Sequence, residues 1–182
     1  DYIAVLESFE CHALVDQLLL KFKRKIDNAA FLGRMINIAA KHCDWQRADA
    51  LWDKMVNQIG MKPNTIQYTA WSQAHLHGGR PIAAAAILDN MFSAGLKGDD
   101  HVPQNHVQAL LLVCHSSPTP MNLERLDHAV EMGDLLIQRD SGNTIKQTWH
   151  RLKSAARRLE CDPASVALHD VLITWNAKAQ SV

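Results

Sequence analysis

The sequence contains no long hydrophobic run. Apolar stretches such as "ALLLV" at residues 109–113 are far shorter than the roughly 20 residues that a membrane-spanning helix requires. An excess of one charge is also absent, because 19 Lys and Arg residues balance 19 Asp and Glu residues. We therefore predict no transmembrane segment. A nucleic-acid function, if there is one, has to depend on where the charges lie rather than on their total.

Cysteine is scarce and dispersed. Its four copies, Cys11, Cys43, Cys114 and Cys161, include no CxxC pair. A chain of 182 residues with 47% hydrophobic residues can form a core without a disulfide framework, so we expect reduced cysteines. The chain begins at Asp1 rather than Met, so a targeting peptide that preceded it would not be visible.

Motifs for catalysis and for metal binding are missing as well. The sequence has no GxSxG, no P-loop and no Gly-rich phosphate loop. It has ten histidines, but no HExxH motif and no Cys/His zinc spacing. Neighbouring pairs such as His42 and Cys43 point in different directions on a helix, so they are poor joint ligands. We therefore predict a non-catalytic protein with no metal, no cofactor and no small-molecule substrate.

Helical periodicity runs through the chain, whereas the alternation typical of strands is weak. In residues 44–56 the core-forming side chains recur on one helical face, at Trp45, Ala48, Leu51, Trp52 and Met55. Asp44 precedes this run as a candidate N-cap, and Pro81 stands at the first position of a similar run. The prediction is an all-α protein. We interpret Trp45, Trp52 and Trp71 as core residues rather than as platforms for stacked bases.

The two apolar runs are copies of each other. The pairs that match at an offset of 36 residues are Ala48 with Ala84, Ala50 with Ala86, Leu51 with Ile87, Asp53 with Asp89, and Met55 with Met91. Gly60 and Lys62 recur as Gly95 and Lys97 at an offset of 35. One residue is therefore inserted in the first copy, before Gly60. Self-similarity at a fixed period in a helical sequence predicts a stack of helical hairpins.

The repeat pattern predicts four hairpins after an amino-terminal capping helix or partial repeat at residues 1–28. The predicted repeats span residues 29–64 and 65–99, a degenerate repeat with an inserted "SSPTPM" loop at 100–144, and a degenerate carboxy-terminal hairpin at 145–182. The predicted helices are 29–43 and 44–58, 66–77 and 80–94, 105–115 and 123–139, and 143–160 and 162–175. The predicted fold is a right-handed α-solenoid of stacked helix-turn-helix repeats.

The stretch "GMKPN" at residues 60–64, followed by "IQYT" at 66–69, resembles the pentatricopeptide repeat. Units of that family have about 35 residues, end in Gly-Ile-Lys-Pro-Asp and restart with Val-Thr-Tyr-Asn. The stretch "RADALWDKM" at 47–55 takes the place of the family's Glu-Ala-Leu-x-Leu-Phe-x-x-Met. The resemblance covers residues 29–99. The tetratricopeptide repeat, with a period of about 34 residues, is the alternative, but the Lys-Pro-Asn turn and the following Tyr favour the pentatricopeptide repeat.

The resemblance implies that the protein binds single-stranded RNA in mitochondria or plastids, with one repeat reading one base. It assigns base reading to the fifth and last residues of a repeat. These are Thr69 and Asp99 in the second repeat, a pair that implies a preference for guanine. Ile66 takes the position that wedges against the base. The pair in the first repeat is Gly33 and Asn64, and glycine has no side chain with which to read a base.

Charge is segregated between the two kinds of predicted helix. Counted over residues 29–43, 66–79, 103–115 and 144–159, the first helices contain no Asp or Glu and carry seven Lys or Arg residues, whereas the second helices are neutral or acidic. In the family that the sequence resembles, first helices line the concave surface, so a neutral chain would present a positive groove to phosphates. The candidate phosphate-binding residues are Lys41, Arg151, Lys153, Arg157 and Arg158. The simpler interpretation of the cluster at 151–158 is a solvated helix face.

Two functions therefore follow from the sequence. The first is a non-catalytic protein that binds organellar single-stranded RNA in RNA processing, stability or translation. The alternative is a protein-interaction scaffold, a structural subunit of an organellar ribosome or of another large organellar complex. The resemblance and the acid-free first helices favour RNA as the partner. The short array, the degenerate code and the irregular loop favour protein subunits as the partners.

Overall fold

The computed structural model describes residues 29–98, 101–137 and 143–161, together with isolated positions 5, 13, 14 and 17. For residues 29, 30 and 158–161 it describes the backbone alone. The three ranges form seven α-helices and no strand, which confirms the all-α prediction. The helices are α1 (Ala29–Lys41), α2 (Trp45–Asp53), α3 (Thr65–His77), α4 (Pro81–Ser93), α5 (Val102–Ser116), α6 (Pro120–Leu136) and α7 (Asn143–Cys161). None of them is both long and apolar enough to cross a membrane.

The chain divides into two compact units, Asp1–Lys97 and Gly98–Val182, called here the first and second unit. The first unit contains α1 to α4, and the second contains α5 to α7. The predicted capping segment at 1–28 lies outside the described residues except for its four isolated helical positions. Residue 99 and the predicted last helix at 162–175 also lie outside them.

The first unit consists of two consecutive helical hairpins. Its helices begin at residues 29, 45, 65 and 81, so the second hairpin repeats the first at 36 residues. The predicted bounds lie within two residues of the observed ones, except that the predicted end at 58 is the end of a π-helical segment that follows α2. α1 packs against both α2 and α3, and α3 packs against α4. Equivalent side chains form the core of each hairpin: Ala48 and Ala84, Leu51 and Ile87, and Met55 and Met91 are all buried. The residues that repeat in the sequence are thus residues that form the core in both hairpins.

The inserted residue of the first hairpin coincides with a π-helical turn. α2 continues beyond Asp53 into a π-helical segment, Lys54–Gln58, which is the form that one extra residue gives to an α-helix. The turn after this segment closes with a bond from the Met61 N–H to the Met55 carbonyl oxygen, six residues back. The equivalent bond after α4 runs from Leu96 to Met91, five residues back. Because the π turn absorbs the extra residue, the two hairpins still end in the same kind of glycine turn.

Both hairpin turns contain a residue in the left-handed backbone region. Cys43 has a φ of 58° and Gly79, at the equivalent position, has a φ of 74°. The backbone bonds that close these turns run from Asp44 N–H to Ala39 O at 3.0 Å and from Arg80 N–H to His75 O at 2.8 Å. This is the six-to-one bond of a Schellman motif. Glycine takes this conformation without steric cost, whereas the Cβ of Cys43 does not.

In the second unit, α5 packs against both α6 and α7, and α6 also contacts α7. The connection between α5 and α6 is shorter than the "SSPTPM" loop predicted from the sequence. α6 begins at Pro120 rather than at residue 123, because the Thr119 hydroxyl oxygen caps the helix by accepting from the Asn122 N–H at 3.2 Å. Proline fits the first helical position, since its missing N–H would have no helical partner there.

A histidine links the two hairpins of the first unit. His77 Nδ1 lies 3.1 Å from the carbonyl oxygen of Ala40, near the end of α1. Since a carbonyl oxygen only accepts, Nδ1 carries the hydrogen. Burial lowers the pKa of His77, and the hydrogen bond to Ala40 opposes that shift in part. Burial therefore favours the neutral imidazole at this site.

We expect Cys43→Gly to stabilise the first unit by about 0.5–1 kcal/mol, because it removes a side chain from a left-handed backbone position. Urea unfolding followed by circular dichroism measures the change. Cys43→Ala is the matched control, since it removes the thiol but keeps the Cβ, and it should give no gain. Equal stability of the two variants would contradict the backbone explanation.

We expect the free energy of unfolding to fall as the pH drops below about 6.5, the ordinary pKa of histidine. The folded-state pKa of His77 is lowered, so the unfolded chain binds the proton more readily and acid favours unfolding. His77→Asn keeps an N–H donor near the Ala40 oxygen without this titration, so its stability should fall less steeply over the same range. Urea midpoints measured from pH 7.5 to 5 for both proteins test this, and parallel curves would refute it.

Candidate functional site

The amino terminus of α3 holds two of the predicted RNA-binding residues in different ways. Asn64 is the N-cap, and its side-chain oxygen accepts from the Gln67 N–H at 3.1 Å. The Gln67 side chain accepts in return from the Asn64 N–H at 2.8 Å, which completes a capping box. Ile66 follows the cap and is 69% exposed. Asn64 Oδ1 therefore serves the helix, whereas Ile66 projects into solvent.

Thr69, the predicted base-reading residue, lies one turn further along α3. It is only 8% exposed, and its hydroxyl donates to the Thr65 carbonyl oxygen at 2.8 Å. Its donor is thus used within the helix, so a ligand would meet the hydroxyl as an acceptor. Asp99, the residue predicted to act with Thr69, lies outside the described residues.

Gly33 occupies the position in α1 that corresponds to Thr69 in α3. A Cβ at this position would lie 2.9 Å from Cγ of Gln67, which is too close for any side chain without a shift of Gln67. Gln67 is itself buried, where it fills the space above Gly33 between the two helices. The glycine is therefore explained by close packing of the second hairpin on the first.

The exposed face of α1 is polar and free of acidic residues. Arg34, Asn37 and Lys41 are exposed at a spacing of three and four residues, which places them on one side of the helix. α1 and α3 pack side by side, and neither contains Asp or Glu. Lys41, one of the predicted phosphate-binding residues, is thus on a surface where no acidic residue of either helix competes for it.

A carboxylate joins α2 to α3 through two ring nitrogens. Asp49 Oδ1 accepts from Trp71 Nε1 at 2.6 Å and lies 2.8 Å from His75 Nε2. The His75 ring is buried, whereas the Asp49 side chain is two-fifths exposed. Sequence reasoning missed this cluster, because Asp49 lies 22 and 26 residues from its partners and the three residue types show no local spacing.

The tryptophans of the first unit have protein partners on their rings. Trp52 stacks on Trp71 with ring centroids 4.0 Å apart, and Tyr68 meets Trp52 edge-on at 4.8 Å. The Arg80 guanidinium lies 3.9 Å from the centroid of the Trp45 ring. These contacts agree with the interpretation of the three tryptophans as packing residues, because stacking a base on them would displace a neighbour.

The predicted basic residues of α7 fall into two groups. Arg151 and Arg157 are exposed. Lys153 is half-buried and forms an ion pair with Asp134 of α6. The side chain of Arg158 lies outside the described part of the helix. Of the predicted cations on α7, Arg151 and Arg157 are therefore the two that the structure presents to solvent.

Asp134 fixes α7 on α6. Its carboxylate accepts from Trp149 Nε1 at 2.9 Å and from the Lys153 ammonium group. Partial burial raises the pKa of Asp134, but hydrogen bonds from Lys153 and Trp149 and the positive charges of Lys153 and Arg157 outweigh it, so the pKa lies below the usual range. The carboxylate is therefore ionised at neutral pH and stabilises this edge of α7.

The reactive side chains that the structure describes form no metal centre. Within those residues, no group of three His, Cys, Asp or Glu side chains could hold an ion. Cys114 is buried in α5, and burial raises the pKa of its thiol to about 11. The protonated thiol is a poor nucleophile and a poor metal ligand at neutral pH.

We expect Gly133→Ala to destabilise the second unit by about 1–3 kcal/mol, as overpacking does. The Trp149 ring lies on Gly133, and an added Cβ would be 2.0 Å from Cη2 of that ring. The clash should outweigh the better helix propensity of alanine, which is worth about 1 kcal/mol. Urea unfolding measures the change, with His128→Ala on the exposed side of α6 as a control. Stabilisation by Gly133→Ala would show that the ring does not pack there.

Comparison with known proteins adds no support to the resemblance to the pentatricopeptide repeat, which depends on the sequence motifs alone. No protein-family model matches the chain. A search of curated proteins finds no significant match either. Membership of the pentatricopeptide repeat family, and the RNA-binding function that it implies, are therefore proposals.

Proposed function

We propose that the chain is a non-catalytic RNA-binding protein, built as an α-solenoid of pentatricopeptide-like hairpins, that holds an organellar single-stranded RNA. The observation that carries this proposal is the absence of acidic residues from the first helix of each hairpin. α1, α3 and α5 contain no Asp or Glu, and α7 has none before Glu160. Phosphate binding requires such a local arrangement of charge, not a basic protein.

The exposed side chains of these helices suggest how RNA would bind. Arg34 and Lys41 on α1, and Arg151 and Arg157 on α7, would attract phosphates within their own units. Ile66 would contact a base, because it is a large apolar side chain in solvent at the start of α3. Thr69 would accept a hydrogen bond from the base edge through its hydroxyl oxygen. Location in mitochondria or plastids rests on the family resemblance alone.

Fluorescence anisotropy of the chain with a labelled mixed-sequence single-stranded RNA, titrated at several salt concentrations, tests the proposal. Each neutralised phosphate should steepen the dependence of log affinity on log salt by about 0.7. Lys41→Gln and Arg151→Gln should each weaken binding and reduce this slope by about 0.7, because each removes one phosphate contact. Ile66→Ala should weaken binding and leave the slope unchanged.

Each unit offers a matched control for these variants. Lys54→Gln lies in the π-helical turn after α2, and Arg125→Gln lies on α6. Each removes one positive charge from the second helix of a hairpin rather than from the first. Both should leave affinity and slope close to those of the unmodified chain. No binding at low salt would overturn the proposal, and an equal effect of the control substitutions would show that the RNA does not select the first helices.

One observation favours the scaffold as a second function. Ile82 on α4 is 69% exposed, whereas the equivalent position of α2 carries Gln46. A large apolar side chain in solvent on the second helix of a hairpin would suit a protein contact. If the chain binds no RNA, we expect it to co-sediment with a large assembly from an organelle extract, and Ile82→Gln should release it.

A further inference from the structure

The second unit carries opposite charges on two neighbouring helices. On α6 the residues Glu124, Asp127 and Glu131 are exposed. On α7 the exposed charged residues are Arg151 and Arg157, and His150 lies between them. α6 and α7 pack against each other, and α5 packs against both. The helices thus present an acidic and a basic surface next to one another, on the sides that face away from α5.

The acidic surface of α6 also has apolar ends. Met121 is 66% exposed and Leu135 is 77% exposed. Both lie on the same helical stripe as Glu124 and Glu131, since the spacings along the stripe are three, seven and four residues. Large apolar side chains exposed at both ends of a charged stripe are expected where another protein surface covers the stripe.

The charges are complementary in sign. Glu124 and Glu131 are seven residues apart on one stripe of α6, about 10 Å along the helix. Arg151 and Arg157 are six residues apart, about 9 Å along α7, and lie roughly 120° apart around it, so they flank the exposed side that carries His150. Within one chain the exposed sides of α6 and α7 cannot pack on each other, because the two helices already contact through Trp149, Gly133 and Asp134, although Arg157 also attracts Asp134 of its own chain. A second copy of the chain has no such restriction.

We propose that the second unit forms a two-fold symmetric dimer in which the acidic face of α6 in each copy packs on the basic face of α7 in the other. A two-fold axis along the line where α6 and α7 meet makes both contacts at once, so the interface is closed and uses one surface twice. Met121 and Leu135 become covered at its edges. The zero net charge of the chain removes long-range repulsion between the copies.

Sedimentation velocity of the full chain tests the dimer. We expect a dimer at about 50 mM salt whose dissociation constant rises roughly tenfold or more at about 500 mM, because the contact is electrostatic and exposed. Glu124→Lys with Glu131→Lys in one protein, and Arg151→Glu with Arg157→Glu in another, should each give a monomer. Lys62→Glu, an exposed charge in the first unit, should leave the dimer unchanged.

Mixing the two charge-reversed proteins separates the proposed pairing from a loss of folding. The first carries basic side chains at the contact positions of both helices and the second carries acidic ones, so each repels its own copies and attracts the other. A heterodimer in the mixture, at the affinity of the unmodified dimer within about tenfold, supports the proposal. A monomer at low salt in the unmodified chain, a dimer that survives either reversal, or no association in the mixture of folded variants would overturn it.

Discussion

The first unit depends on the contact between Asp49 and the two ring nitrogens of Trp71 and His75. This carboxylate on α2 holds the second hairpin to the first at 2.6 and 2.8 Å, and the bond between His77 and Ala40 adds a second polar link. Because it fixes Trp71, it also fixes the stack of Trp71 on Trp52, which covers the outer side of the first hairpin's core. α1 and α3 also pack on each other directly, with Gln67 against Gly33, and together they form the acid-free surface.

The two hairpins of the first unit repeat their internal core but differ at the positions of Asp49 and Trp45. Ala85 takes the place of Asp49 in the second hairpin and is fully buried, and Pro81 takes the place of Trp45. α4 therefore lacks a carboxylate at the position of Asp49 and an indole at the position of Trp45, although it carries Asp89 elsewhere. Internal packing is a property of each hairpin's own amphipathic pattern, whereas the stacking of hairpins needs specific polar partners, and these can differ at each step.

The features that the sequence predicted are those that recur at a regular spacing. Helix bounds in the first unit followed from apolar spacing and capping residues, and the shift from 36 to 35 residues indicated the place where the π-helical turn lies. The early start of α6 at Pro120 was missed, although Thr119 and Pro120 form a cap and a first helical residue by ordinary rules. Two contacts could not be predicted: the packing of Gln67 against Gly33, and the bonds of Asp49 to Trp71 and His75. Contacts between residues 22 to 34 positions apart leave no periodic signal in the sequence.

The proposed phosphate-binding surface and the proposed dimer surface share two residues of α7. Arg151 and Arg157 would serve both as phosphate contacts and as the partner of α6 in a second copy. A single residue cannot do both at once, so RNA would bind the monomer more tightly than the dimer. By linkage, the dimer would then weaken RNA binding by the same factor. If both proposals hold, the acidic stripe of α6 would compete with phosphate for Arg151 and Arg157. That competition would grow with protein concentration, so RNA would be released where the protein is abundant.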